Sequence, residues 1–69
     1  MRDPNRLNDM YKTMLKLHKE NIPDWRLGQL LMNFLGWYYG KYHTDCFYIE
    51  DKEFVEKLQA FIEESCSPY

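Results

Sequence analysis

Apolar positions along this chain fall into three runs at helical spacing. In the first, Leu7, Met10, Tyr11, Met14, Leu17 and His18 recur three and four residues apart, the repeat that puts side chains on one face of an α-helix. Its start is predicted at Asp3 and Pro4, with Asp3 capping free backbone N–H groups and Pro4 in the first helical position, where a missing N–H does no harm. Asn21 tolerates the left-handed conformation that closes a helix, Ile22 is placed to fold back, and Pro23 bars continuation. Lys12, Lys16 and Lys19 share a different face and read as a solvated stripe.

The second run, WRLGQLLMNFLGWYYG, follows Asp24 as N-cap and is predicted to stop at Gly40. At 100° per residue its apolar side chains cover about 240° of the circumference, leaving a narrow polar edge of Arg26, Gln29 and Asn33 beside Gly36. A helix apolar on most sides is either central in its fold or partly buried by a partner. Gly28 and Gly36 lie inside it, where glycine costs roughly 1 kcal/mol relative to alanine, so a close backbone crossing is expected at one of them.

Residues 41–49, KYHTDCFYI, are expected to pack as a compact loop, because Tyr42, Phe47, Tyr48 and Ile49 are too apolar to leave in water. The third helix is predicted from Glu50 to residue 64, with Asp51 and Glu53 at the positive end of its dipole. Ile49 and Phe54 have the spacing of a hydrophobic staple across its start. Its core face is Phe54, Val55, Leu58, Phe61 and Ile62, and residues 65–69 are expected to fray. The pattern predicts an all-α, compact three-helix domain, with an aromatic-rich loop before the last helix, spanning residues 1–69 as a single unit.

Length sharpens this picture. A chain of 69 residues buries only about 60% of its unfolded surface and has little stability to spare. Its 12 aromatic residues, 17% of the chain, are then a means of building a core, since each buries about 150 to 250 Å².

Net charge is -2, which argues against a nucleic-acid binder that neutralises phosphates with a broad basic face. The balance is uneven: residues 1–43 sum to +3 and residues 44–69 to -5. Complementary halves that meet inside one fold are the expected outcome, with head-to-tail association or a charged partner as the alternatives. No apolar run has the roughly 18 residues a membrane span needs, and the first residues lack a signal-peptide core, so a cytoplasmic, membrane-free location is expected. Cys46 and Cys66 flank the third helix, about 22 Å long at 1.5 Å per residue, which opposes an intramolecular disulfide and suits free thiols in a reducing compartment.

Candidate chemistry is sparse. His43, Asp45 and Cys46 have half-site spacing for zinc, but only His18 and Cys66 remain to complete four ligands and they form no second couple, so no metal or other cofactor is expected. Neither cysteine has a recognisable base and orienting partner, and the carboxylates read as a helix start and a solvated surface, so no catalytic residue is assigned and the chain is not expected to be an enzyme. The polar strip Arg26, Gln29 and Asn33 is the exception in interest. It is either the water-facing edge of its helix, or a recognition strip flanked by Trp25, Trp37 and Tyr39, residue types enriched at binding hot spots.

RDPNR at the start, PDWRLGQLLMNFLGW in the middle and DCFYIEDKEFVEKLQAF near the end resemble a family of small uncharacterised proteins of bacteria and their phages, over nearly the whole chain. Its pattern corresponds here to Arg2, Asp3 and Pro4, then Pro23, Asp24, Arg26, Gln29, Leu30 and Asn33, then Asp45, Phe47 and Tyr48. A proline often follows the family's last aspartate; this chain has Cys46 instead. The resemblance implies a bacterial or phage source and carries no substrate or activity.

The expected function is therefore a small non-catalytic protein-interaction module, in a narrower form a phage-type inhibitor of a host protein, acting through Trp25, Arg26, Gln29, Asn33, Trp37 and Tyr39. The alternative is a structural homo-oligomer that buries its surplus aromatic surface. Single-stranded nucleic-acid binding ranks lower, since only Lys41 and His43 lie near the aromatic run to hold phosphates.

Overall fold

In the computed structural model, which describes residues 2–65, the three apolar runs form α1 (Arg6–Asn21), α2 (Leu27–Tyr42) and α3 (Asp51–Ser65). There is no strand among the described residues. The protein is an all-α three-helix domain with an aromatic cluster at its centre.

Helix starts are shaped by local hydrogen bonds. The Asp3 carboxylate accepts from the Asn5 amide at 2.9 Å, and the amides of Arg6, Leu7 and Asn8 donate to carbonyls three residues back. Asp3 thus opens a tight 3₁₀-like turn, and the α-helix proper begins at Arg6, later than the predicted start at Pro4. At the other end Asn21 stays helical, its side-chain amide donating back to the Leu17 carbonyl, and the left-handed closure expected there does not occur: Ile22 takes φ -139° as the cap and is buried. Between the helices, His18 Nε2 lies 2.8 Å from the Trp25 carbonyl oxygen. A carbonyl only accepts, so Nε2 carries the proton and ties α1 to the entry of α2.

α2 begins two residues beyond the predicted Trp25, with Arg26 as N-cap. The Arg26 amide donates to Gln29 Oε1 at 2.8 Å, one half of a capping box; the other half needs a side-chain acceptor that arginine lacks. The helix runs through Gly40, the predicted stop, to Tyr42, and ends on His43 in the left-handed region at φ 59°. Two packed rings extend it: Tyr42 lies 4.7 Å from Tyr38 and 6.2 Å from Trp37 by ring centroids. The extra half-turn is held by side-chain packing that a glycine stop signal does not register.

α3 is the element between the other two. It packs against both α1 and α2, whereas no Cα pair between α1 and α2 comes within 8 Å. The expectation of a central α2 is half met: Leu30, Phe34 and Tyr38 of α2 are buried with Leu58, Phe61 and Ile62 of α3, while α1 contributes no fully buried residue. Phe34 is wholly enclosed, its ring 5.0 Å from Phe54, 5.8 Å from Phe61, 6.0 Å from Trp37 and 6.1 Å from Tyr38. Ile49 and Phe54 both pack on this core, in the staple positions before and after the Glu50 carbonyl that accepts from the Phe54 amide.

Among the described residues three ion pairs cross the charge divide in the sequence, Arg2 with Glu50, Arg6 with Asp51 and Lys41 with Glu64. The basic and acidic halves meet inside one fold.

Two outcomes test this account. Phe34→Ala should lower the unfolding free energy by about 3 to 5 kcal/mol, read by urea denaturation, enough to leave so short a chain largely unfolded. His43→Gly removes a left-handed side-chain penalty of roughly 1 to 2 kcal/mol and adds a smaller backbone entropy loss, so it should raise stability by about 0.5 to 1 kcal/mol. An unchanged or lower midpoint would refute the strain.

Candidate functional site

Each flank of α2 is settled by its angle to α3. Leu30, Phe34 and Tyr38 point into the core, and a rotation of 100° per residue sends Met32, Gly36 and Tyr39 to the opposite side and Asn33 to a flank. Met32 is 72% exposed, Tyr39 61% and Leu35 41%. Gly28, Gly36 and Gly40 open on space, with nothing within 4 Å of a Cβ placed at any of them. The backbone crossing expected at Gly28 or Gly36 is therefore absent among the described residues.

The six residues of the expected recognition strip separate into three environments. Trp25 and Trp37 are half-buried and belong to the aromatic packing, with ring centroids 6.3 and 5.6 Å from Phe61. Gln29 is exposed but engaged in capping α2. Arg26, Asn33 and Tyr39 are exposed, and none of the described ion pairs involves Arg26.

Around Trp37 the surface is stitched rather than open. Its indole N–H donates to Glu64 Oε1 at 3.3 Å, the Lys41 ammonium donates to Glu64 Oε2 at 2.7 Å, and the same ammonium lies 5.0 Å from the centre of the indole. The hydrogen bond from Lys41, then that from Trp37, holds the Glu64 carboxyl below its ordinary pKa; the same bond holds Lys41 above its own. A second cation lies over an aromatic face nearby, Lys57 Nζ 4.8 Å from the Tyr42 ring.

Spacing alone did not reveal a groove between α1 and α2. Because the two helices do not close on each other, Met10, Met14, Leu27, Leu31 and Phe54 line a mostly apolar cleft that Asp51 borders. The cleft continues past Leu15 and His18 toward Leu30. Tyr11, assigned to the core by its spacing, stands on the rim and is largely exposed, as are Leu15 and Leu27.

The loop differs from expectation too. The Asp45 carboxylate accepts from the Phe47 amide at 3.1 Å, a side-chain-closed turn. Cys46 and Ile49 pack against the core, which leaves Phe47 and Tyr48 at the corner, 79% and 89% exposed, edge to face at 4.8 Å. Burial raises the Cys46 thiol pKa, the direction that makes a thiol less reactive. Cys66 lies outside the described residues.

No group of three or more metal-ligating side chains is gathered among the described residues, and no described helix is long and apolar enough to cross a membrane. The chain matches no family model, no curated protein and no solved structure.

The Glu64 contacts set a pH dependence. A lowered carboxylate pKa adds stability that is present above the ordinary value of 4.5 and lost as pH falls through the lowered value. The stability gap between the native chain and Glu64→Gln should therefore narrow from about pH 7 to about pH 3, in paired urea titrations followed by tryptophan fluorescence. A gap independent of pH would remove the charge from this explanation.

Proposed function

We propose that this chain is a small non-catalytic protein-interaction module that binds through the surface α2 leaves uncovered. One observation carries the reading: α2 fills the core with one face and still presents Leu27, Met32, Leu35 and Tyr39 to solvent. Burying such side chains is favourable by about 25 cal/mol per Å², and tyrosine and arginine are the types that anchor interfaces. Arg26 and Tyr39 supply them here, both exposed, with Arg26 next in sequence to Leu27 on the groove wall. Trp25 and Trp37 support the surface from beneath through Phe61. An inhibitor that occludes the surface of a host protein is the narrower form of the same reading.

Capture of partners by the tagged full chain tests it. Arg26→Ala, Leu27→Asp and Tyr39→Ala should each lower recovery of a bound protein by about tenfold or more, while circular dichroism and the thermal midpoint stay close to those of the native chain. Trp37 is unsuited to this comparison, because its loss removes packing on Phe34 and Phe61. If all three variants recover every partner undiminished, the reading is abandoned.

A further inference from the structure

The outward face of α2 differs from the rest of the surface in its charge. From Leu27 to Tyr42 the only charged side chain is Lys41, which is turned onto Trp37 and Glu64. The face that remains, made by Met32, Asn33, Leu35, Gly36, Tyr39 and Gly40, is exposed and uncharged along the helix. Its neighbours are not: α1 carries Lys12, Lys16 and Lys19 and α3 carries Glu53, Glu56 and Glu63 on exposed positions.

We infer that this face pairs with the same face of a second copy of the chain, as a two-fold dimer in which two α2 helices cross near Gly36. The inference rests on the binding-surface reading above and names the occupant. A two-fold axis sets each patch against its own image, so every charge near the axis meets its like. A charge-free face meets its own image without that repulsion. A surface selecting a charged partner carries complementary charge instead, and α2 offers none outward.

The glycines and amides point the same way. Gly36 sits in mid-helix, where glycine is roughly 1 kcal/mol worse than alanine; none of the described residues comes within 4 Å of a Cβ placed there. At a helix crossing, that missing Cβ lets two backbones approach closely, with Met32, Leu35 and Tyr39 closing around the contact. Gln29 and Asn33 each carry donors and an acceptor on one amide, so the polar edge is also compatible with its own copy. A 16-residue helix is about 24 Å long, and one face of it falls short of the roughly 800 Å² per partner of a standard interface. The dimer is therefore weak and reversible.

Sedimentation equilibrium on the full chain, from about 10 μM to about 2 mM, spans the weak range such an interface implies. The expected result is a monomer–dimer equilibrium that closes at two, with Kd changing less than about twofold between roughly 50 and 500 mM salt. Met32→Glu should weaken it at least about tenfold with helicity retained, by placing like charges across the axis. Gly36→Ala gives opposed readouts: the dilute monomer should melt higher, from better helix propensity, while the dimer weakens. A monomer at every concentration overturns the pairing, as does a dimer that Met32→Glu or Gly36→Ala leaves intact. Salt-sensitive growth beyond two also overturns it, and assigns association to the basic and acidic ends. A strict monomer refutes self-pairing alone, since the capture variants above test the broader reading independently.

Discussion

Everything else in this fold depends on the enclosure of Phe34. One ring on α2 is touched by Trp37 and Tyr38 from its own helix and by Phe54 and Phe61 from α3. For a chain near the lower size limit for independent folding, this concentrates aromatic burial and edge-to-face contact at one point, each pair adding roughly 0.5 to 1.5 kcal/mol beyond its area. The Phe34 cluster fixes α2 on α3, and the α2–α3 pair then offers α1 a surface. The ion pairs Arg2 with Glu50 and Arg6 with Asp51 bring the starts of α1 and α3 together, but they are partly exposed and select orientation more than they supply stability.

The helices were legible because their signal is local. Three-and-four spacing predicted α1, α2 and α3, and of the predicted core face of α3, Leu58, Phe61 and Ile62 are buried while Phe54 and Val55 are half-buried. Ends were less legible where side chains acted on backbone or on distant rings. Asp3 opens a tight turn before α1, Gln29 caps α2, and Tyr38 and Tyr42 carry α2 past Gly40. Layer order was not legible at all. The hydrophobicity of α2 suggested a central helix, yet α3, with a modest apolar stripe, touches both others; periodicity gives the width of a face and not the number of neighbours that share it.

The same distinction explains the candidate surface. Polar spacing on α2 singled out Arg26, Gln29 and Asn33 as a unit, but a hydrogen bond to the helix start engages Gln29 and leaves the other two exposed. Trp25 and Trp37 joined that strip on the helical wheel, and α3 draws both toward Phe61. Past Arg26, the outward face of α2 is uncharged and bounded by charge on α1 and α3. Hydrophobic excess in α2 thus divides between a saturated inner face and an unsaturated outer one, a division set by a single neighbour, α3.

The absence of any fully buried residue in α1 has a consequence for motion. Local opening free energies follow buried contact density, so amides of α1 exchange with solvent at lower cost than those of the α2–α3 pair. Detachment of α1 removes one wall of the groove while the Phe34 cluster keeps all of its ring partners, because every one of them lies on α2 or α3. The aromatic centre of the molecule is thus complete in the α2–α3 hairpin, and α1 completes the groove without completing that centre.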